Sequence, residues 1–189
     1  MIITDLSTYD NKTYKPGAGK LKLLLWYIIN TIIVNSYILP ISFIKVFILR
    51  LFGAKIGINV NIKPKVNIKY PWRLTVGDNV WIGEKVWIDN LDKVIIGSNS
   101  CLSQGSMLLC GNHNYKKKSF DLITAKIIIE DGVWIGARSI VCPGIICKSH
   151  AVLTTGSVAT KNMDEYSVYS GNPAVFVRKR EPGARSQKP

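Results

Sequence analysis

Histidine is scarce in this chain of 189 residues, which contains only His113 and His150. The four cysteines have no metal-ligand spacing, and protein zinc sites need three or four histidine, cysteine or carboxylate ligands. A bound metal is therefore not expected. The first twenty residues are polar and lack the apolar segment of a secretory signal, which favours a cytoplasmic protein with reduced thiols.

Nucleic-acid-binding motifs are also lacking, although the chain has a net charge of +13. It shows none of the groove-reading or base-stacking patterns that accompany a basic surface in such proteins. A phosphate-bearing cofactor, an anionic saccharide or an acidic membrane surface explains the charge better. Most of the individual lysines need no partner other than water. We therefore expect no nucleic-acid partner.

A repeat of six residues runs from Ile56 to about Met163. An aliphatic residue opens each hexad, Gly or another small or polar residue often follows, and a small or β-branched residue takes the fifth place. Self-similarity at a fixed period indicates a solenoid. Three short strands per coil would close a triangular prism, with the opening aliphatic residues along its axis. Clear examples are Val76-Gly77-Asp78-Asn79-Val80-Trp81 and Ile129-Glu130-Asp131-Gly132-Val133-Trp134.

The spacing of the hexads predicts which residues stack on one another. Successive coils begin about twenty residues apart, which is eighteen plus a two-residue insertion at a corner, and the last two begin eighteen apart. The sequence therefore predicts a parallel β-helix over residues 56–164. The coils open at Ile56, Val76, Ile96, Ile129 and Cys147, and the third face of the prism begins at Ile68, Ile88, Leu108 and Val141.

Residues 1–55 form an N-terminal extension without hexads. No charged residue occurs over 23–44, a length that would suit a membrane span. Pro40 would interrupt such a helix, but it is tolerated in a first turn. Two helices are therefore predicted, over 21–35 and 40–52. They would cap the open end of the prism, and the basic residues beside their apolar faces also favour contact with a lipid interface.

The hexad register stops within the coil that begins at Ile96 and resumes only at 127–129. Residues 112–126 must therefore leave the prism as a loop, and long loops in compact repeats are usually functional. His113 stands at the root of this loop, on a rigid edge of the solenoid. Since histidine exchanges a proton near neutral pH, His113 is a candidate general base, with an ordinary hydrogen-bonded side chain as the alternative. His150 occupies a regular hexad corner and is predicted to have no catalytic role.

A family resemblance is carried by the hexads, by the loop after Gly111-Asn112-His113-Asn114-Tyr115 and by Ser170-Gly171-Asn172-Pro173-Ala174. Together they resemble the left-handed β-helix acyltransferases, and most of all the colanic-acid-type O-acetyltransferases of bacterial exopolysaccharide synthesis. The resemblance covers roughly residues 10–180. It implies an all-β solenoid, a left-handed parallel β-helix with an N-terminal α-helical cap and one extruded loop. A basic C-terminal tail over 165–189 would follow the solenoid.

The resemblance also implies a homotrimer, with acetyl-CoA as the co-substrate and each active site between neighbouring prisms. His113 would take the proton from a sugar hydroxyl as that oxygen attacks the thioester, which is worth about 10²–10⁴-fold in rate. Asp89 and Asn90 match the position of a polar residue that orients the base or holds the acceptor sugar. Both residue types also simply satisfy solenoid corners. Backbone N–H groups near Ala137 would stabilise the oxyanion.

Substrate contacts are implied for Asn112, Tyr115 and Trp134, the last beside the thiol arm of CoA. Trp134 also continues an outward aromatic stripe that includes Trp81, so packing is its alternative role. Basic side chains among the CoA-binding positions would neutralise the CoA phosphates. The CoA-binding positions that match the family are Ala137, Thr155, Thr160, Lys161 and Arg178.

The sequence thus predicts acetyl transfer from acetyl-CoA to a sugar hydroxyl in the synthesis of a bacterial surface polysaccharide. Acetylation of an amino sugar, or the use of another acyl donor, is the alternative within the enzyme class. A catalytically silent trimeric scaffold or glycan-binding module is the alternative from a different class. Cys101 and Cys110 offer an acyl-enzyme route, although packing explains their hexad positions more simply. The apolar helices suit a lipid-linked saccharide acceptor at the inner face of the cytoplasmic membrane.

Overall fold

The structure is a computed structural model that describes residues 3–181. Within this range the chain forms a three-sided parallel β-helix with two helices at one end and a β-hairpin at the other. A second hairpin leaves the solenoid after its third coil. The predicted solenoid with a helical cap and one extruded loop is confirmed.

The strands follow the hexads closely, at two to three residues per face. The first coil contains β1 (Lys55–Ile56), β2 (Asn61–Ile62) and β3 (Asn67–Ile68); the second β4 (Leu74–Val76), β5 (Trp81–Ile82) and β6 (Trp87–Asp89); the third β7 (Val94–Ile96), β8 (Cys101–Leu102) and β9 (Met107–Leu109). After β10 (Gly111–His113) and β11 (Leu122–Thr124), the fourth coil contains β12 (Ile127–Ile129), β13 (Trp134–Ile135) and β14 (Ile140–Val141); the fifth β15 (Ile146–Cys147), β16 (Val152–Leu153) and β17 (Val158–Ala159); and β18 (Ser167–Gly171) and β19 (Ala174–Lys179) end the fold.

Equivalent strands of successive coils pair in parallel and make three sheets. Face A has the order β1-β4-β7-β12-β15, face B has β2-β5-β8-β13-β16-β18, and face C has β3-β6-β9-β14-β17. Ile56 pairs with Val76, and the column continues through Ile96 and Ile129 to Cys147. The third-face column from Ile68 to Val141 is also present. Both predicted columns of stacked residues are therefore confirmed.

Aliphatic side chains at the opening position of each hexad fill the axis of the prism. On face B, for example, Ile62, Leu102, Ile135 and Leu153 are completely buried. Burial of a side chain of this size contributes roughly 1.5–3 kcal/mol. Because each coil adds one such residue per face, the core grows by repetition and each coil is stabilised by its neighbours.

Left-handed backbone at the edge between faces A and B turns the chain from one face to the next. Asn59, Asn79 and Asn99 adopt φ of 54–58° there, a conformation that asparagine tolerates better than most residues. Their side-chain amides form a ladder, with N···O distances of 3.1 and 3.3 Å. His150 continues the column with φ of 60° and stacks on Tyr166 at a centroid distance of 4.7 Å. His150 therefore belongs to a solenoid corner.

Helix α1 (Lys20–Ile29) continues as a π-helical turn (Asn30–Val34), and helix α2 spans Ser42–Leu51. Short 3₁₀ turns lie at Leu6–Thr8 and Pro71–Arg73. Helix α2 begins two residues after Pro40, so the expectation that Pro40 lies in its first turn is wrong. The helix ends at Leu51 and is closed by Gly53, which has φ of 101°. The N–H groups of Gly53 and Ala54 donate to the carbonyls of Arg50 and Leu49, the Schellman arrangement.

Both helices pack on the first coil and close that end of the core. The indole Nε1 of Trp26 donates to the carbonyl of Ile68 at 2.9 Å. The buried ammonium of Lys45 donates to the carbonyl of Lys63 at 3.0 Å. The helices thereby satisfy backbone carbonyls that have no preceding coil to bind them. No helix in the described range 3–181 is long and apolar enough to cross a bilayer.

The C-terminal segment differs from the expected basic tail over 165–189. Strand β18 joins face B in parallel with β16, and β19 folds back antiparallel on β18. The described part of the tail is therefore an integral strand pair, because the first two residues of β18, Ser167 and Val168, are buried. Residues 182–189 of the predicted tail lie outside the described residues.

Candidate active site

The predicted loop over 112–126 is a two-stranded hairpin. Strands β10 and β11 pair antiparallel, with His113 opposite Leu122. At the base of the hairpin the N–H of Ala125 donates to the carbonyl of Cys110 at 3.0 Å. The hairpin leaves the prism at the edge between faces C and A, and it holds His113 on a paired strand.

A backbone carbonyl fixes the ring of His113. The Nδ1 atom lies 2.9 Å from the carbonyl oxygen of Phe120. A carbonyl only accepts, so in the neutral imidazole Nδ1 carries the proton and Nε2 is left with the lone pair. The ring also stacks on that of Phe120, with centroids 4.5 Å apart and an angle of 6° between the planes. His113 is thus oriented and left with one basic nitrogen, the state that a general base requires.

The N-terminal segment, defined here as residues 5–16, crosses the hairpin. The N–H of Asp5 donates to the carbonyl of Lys118 at 2.9 Å, and the two side chains form an ion pair at 3.2 Å. The ring of Tyr9 lies against that of His113, with centroids 5.9 Å apart. A cavity of about 470 Å³ results, lined by Tyr9, Asn11, Tyr14, Pro16, Lys69, Tyr70, Leu91, His113 and Leu122.

Sequence reasoning did not identify the part that this segment contributes to the cavity. Residues 5–16 have no hexads and no motif that would indicate a contact with a loop a hundred residues away. The phenol of Tyr14 donates to the carbonyl of Leu91 at 2.8 Å and accepts from Arg73 at 3.2 Å, and burial raises the pKa of this phenol. Tyr14 is therefore a neutral, firmly held wall of the cavity.

Asp89 lies near the His113 hairpin but does not orient the imidazole. Its carboxylate forms an ion pair with Lys69, with Nζ 3.0 Å from Oδ1, and its side chain is mostly buried. A Cβ placed on Gly111 would be 3.9 Å from Oδ2, so the carboxylate lies beside the root of the hairpin. Since Phe120 holds Nδ1 of His113, the remaining predicted role for Asp89 is to hold the acceptor, directly or through Lys69 at the cavity wall.

Asn90 has a different role from the predicted one. Its side chain is completely buried, and the amide oxygen accepts from the N–H of Tyr70 at 2.9 Å while Nδ2 donates to the carbonyl of Tyr70 at 2.6 Å. Through these two bonds the side-chain amide of Asn90 takes the place of a backbone peptide group in the pairing of the first two coils. Asn90 is therefore a structural residue that supports Tyr70, and its buried amide does not reach a substrate.

Asn112 and Tyr115 lie on the hairpin but outside the walls of the His113 cavity. The side-chain oxygen of Asn112 accepts from the N–H of His113 at 2.8 Å, which stabilises the backbone at the base. Tyr115 is 70% exposed at the tip. In a single chain these two residues can contact only an acceptor that extends beyond the cavity.

Trp134 is separated from His113 in the single chain. It stands on face B, where it pairs with Cys101, which in turn pairs with Trp81. Its indole Nε1 donates to the hydroxyl of Ser103 at 2.9 Å, and about half of the residue is exposed. A cavity of about 530 Å³ on this side is lined by Trp81 but not by Trp134, and its other walls include Cys101, Ser103, Lys85 and Arg138.

The predicted CoA-binding residues lie in the last two coils and in the hairpin of β18 and β19. Ala137 and Thr155 occupy equivalent places in successive coils at the edge between faces B and C. There the N–H of Gly156 donates to the carbonyl of Ala137 at 2.9 Å. Thr160 and Lys161 are exposed at the edge between faces C and A, directly after β17. Arg178 is exposed on β19, opposite Val168. The single chain does not bring these residues to one point.

The cysteines do not support an acyl-enzyme route. Burial raises the pKa of the Cys110 thiol to about 11 and that of Cys147 to about 12. Burial also raises the pKa of Cys101 and of Cys142. A thiol acts as a nucleophile only as thiolate, so these side chains are packing residues. The described residues contain no cluster of three or more metal-ligating side chains.

Comparison with known proteins defines the class. No protein-family model matches the chain. The chain is 35% identical over 176 residues to WcaF of Escherichia coli K12, which is described as a colanic acid biosynthesis acetyltransferase. The match covers 93% of this chain and 97% of WcaF. The chain belongs to the hexapeptide-repeat acetyltransferases and is related to WcaF over nearly its whole length.

Solved structures of the same fold include two acetyltransferases. The hexapeptide-repeat acetyltransferase VCA0836 of Vibrio cholerae superposes with a TM-score of 0.78 at 17% identity, over 88% of this chain and 96% of that one. VCA0836 has also been solved in complex with acetyl coenzyme A. A maltose O-acetyltransferase of Clostridium difficile 630 superposes with a TM-score of 0.68 at 24% identity, over 86% of both chains. These likenesses establish the left-handed β-helix fold.

Proposed function

We propose that this acetyltransferase moves the acetyl group of acetyl-CoA to a hydroxyl of a sugar in bacterial surface polysaccharide synthesis, such as a capsule, an exopolysaccharide or an O-antigen. The relationship to WcaF over 93% of the chain supports the class of acceptor. The contact of 2.9 Å between Nδ1 of His113 and the carbonyl of Phe120 carries the chemistry, because it leaves Nε2 as the proton acceptor inside a cavity.

The reaction proposed is direct transfer with His113 as general base. Nε2 accepts the proton of the sugar hydroxyl while its oxygen bonds to the thioester carbonyl carbon. The C–S bond of the tetrahedral intermediate then breaks, and the imidazolium returns its proton to the departing CoA sulfur. Backbone N–H groups near Ala137 are the proposed donors to the oxyanion. The cysteine thiols take no part.

The positions of the predicted residues support a homotrimer with shared active sites. His113 and its cavity lie at the edge between faces C and A, whereas Trp134 stands on face B and Ala137 at the edge between faces B and C. No rotation of side chains joins these sets within one prism. A neighbouring chain that presents face B to the hairpin would join them, and cyclic trimers repeat such a contact three times.

Mixed trimers test this sharing of sites. His113→Ala and Ala137→Trp, each inactive alone, are expected to restore activity when co-expressed with two different tags. In a random mixture about a quarter of the interfaces would pair an intact His113 with an intact Ala137. Absence of recovery in mixed oligomers isolated through both tags would show that each site is complete within one chain.

In this arrangement CoA extends along the last coils. Thr155, Thr160, Lys161 and Arg178 are the proposed contacts, with the two basic side chains near the phosphates. Asp89 and Lys69, together with the N-terminal segment, are proposed to contact the sugar. The proposed acceptor is a saccharide on a lipid carrier, since the exposed apolar helices described below suit a membrane-bound substrate.

An acceptor panel tests the function. Acetyl-CoA consumption is measured with nucleotide sugars, glycan intermediates and lipid-linked glycans, each in a hydroxyl and an amino form. We expect turnover of a hydroxyl acceptor. Preference for the amino form would replace the proposal with N-acetylation, which is the second candidate because the same base could accept an ammonium proton. Failure to bind CoA would support the scaffold alternative.

A further inference from the structure

Helix α1 exposes a second apolar face, opposite the side that packs on the solenoid. Trp26 is buried and bonds to the first coil, and Ile29 is partly buried against the core. The outer residues recur at intervals of three, four, seven and eleven positions, which places them on one stripe of the helix. They are Leu21, Leu24, Leu25 and Ile28 of α1 and Ile32 of the π-helical turn that continues it, with exposed fractions of 70%, 57%, 45%, 45% and 52%.

Helix α2 repeats this organisation. Val46 and Leu49 are buried against the solenoid, whereas Phe43 is 73% exposed and Phe47 is 59% exposed, four residues further on. The connection between the helices adds further exposed apolar side chains, of which Ile38 is 79% exposed. Large contiguous apolar patches on a folded surface usually indicate an interaction site. Because both helices pack on the first coil, the two outer stripes lie at the same end of the prism.

The residues that form and flank this surface are mostly basic. Residues 11–77 contain eleven lysines and arginines and no aspartate or glutamate. This region alone therefore accounts for most of the net charge of +13. Among the basic residues beside the helices, Lys20, Lys55 and Lys63 are exposed. Glu84 also lies beside this surface, because its carboxylate accepts from the phenol of Tyr37 at 2.7 Å. An apolar stripe bordered mainly by cations matches the chemistry of an anionic lipid interface.

We propose that the outer faces of α1 and α2 dock on the surface of a bilayer that contains anionic lipid, with both helices in the plane of the interface. A second copy of the chain fits this surface less well, because an isologous contact would bring two sets of lysines together with few carboxylates to compensate them. Lipid headgroups supply the opposite charge, and acyl chains cover the leucines and phenylalanines. Docking would hold the enzyme beside a lipid-linked acceptor; that consequence rests on the proposed function, whereas the docking itself does not.

Vesicle flotation tests the proposal with the full chain. The wild type is incubated with phosphatidylcholine vesicles and with vesicles that also contain phosphatidylglycerol. We expect flotation with the anionic vesicles, less flotation with the neutral ones, and release as the salt concentration is raised. Phe43→Ser with Phe47→Ser should lower partition to anionic vesicles by roughly tenfold or more. The matched control is Val175→Ser with Val177→Ser on β19, two exposed apolar side chains at the other end of the fold, which should float as the wild type does.

Three results would overturn the proposal. One is a wild type that remains in solution with both kinds of vesicle. Another is a Phe43 and Phe47 variant that floats as well as the wild type while its circular dichroism is unchanged. The third is a smaller oligomeric mass for this variant in the absence of lipid, which would identify the surface as a contact between chains instead. CoA binding and turnover with a soluble acceptor should be unchanged in the variant, so failure of docking is distinguishable from failure of the proposed function.

Discussion

Replacing His113 by alanine is expected to lower kcat by about 10²–10⁴-fold while the affinity for acetyl-CoA stays unchanged. The physical reason is the loss of Nε2, the lone pair that the contact between Nδ1 and the carbonyl of Phe120 leaves available. A sugar hydroxyl is a poor nucleophile until its proton is removed. The measurement is a steady-state assay of CoA release with the acceptor found in the panel, together with calorimetric titration of CoA.

His150→Asn is the matched control for this prediction. His150 stands in the corner column at a positive φ, where the chain already uses asparagine at positions 59, 79 and 99. The substitution therefore removes the other histidine without removing the turn, and we expect kcat within a factor of about two of the wild type. If His113→Ala also retains wild-type kcat, His113 is only the stacking partner of Phe120 and the proposed mechanism is wrong.

Gly83→Ala is expected to destabilise the fold by about 3 kcal/mol, at the upper end of the usual cost of inserting a methyl group into a packed site. A Cβ at this glycine would lie 2.7 Å from the backbone nitrogen of Gln104 and 2.9 Å from the carbonyl oxygen of Leu102. These atoms belong to the backbone of the next coil and cannot rotate away. The two coils must separate locally, which weakens the parallel pairing of β5 with β8.

Thermal unfolding followed by circular dichroism measures this effect. A loss of about 3 kcal/mol corresponds to a decrease in Tm of roughly 10 °C for a chain of this size. Gly19→Ala is the control, because a Cβ at Gly19 meets no atom within 4 Å, and its Tm should stay close to that of the wild type. Equal Tm values for the two variants would mean that the coils are less tightly packed at Gly83 than the structure shows.

The stacking of the coils was predictable because the information is local and repeated. Each hexad places one aliphatic residue on the axis, so a shift by a single residue would expose every one of them. The columns from Ile56 to Cys147 and from Ile68 to Val141 follow from this constraint alone. The loop was predictable because the six-residue repeat is interrupted there. Its hairpin was not, because β10 and β11 have no alternating pattern.

The candidate site was predictable only in part, because it depends on contacts between distant segments. The position of His113 at the loop root could be read from the register. The carbonyl of Phe120 that orients it, and the N-terminal segment with Tyr9 and Tyr14, arise from tertiary packing without a sequence period. Asn90 shows the opposite case: it stands at the expected place, but both polar atoms of its side chain bond to the backbone of Tyr70. A sequence pattern locates a side chain but does not say which of its atoms are already bonded.

The two ends of the prism also determine whether the stack of coils can continue into another molecule. A parallel stack of strands offers open hydrogen-bonding groups at both termini, and a further coil from another molecule could continue it indefinitely. Here helices α1 and α2 occupy the first coil through Trp26 and Lys45, and β19 covers the outer edge of β18 on face B. The N-terminal helices and the C-terminal hairpin thus oppose end-to-end addition of another chain. The stack of coils therefore has a fixed length, although its repeat could continue.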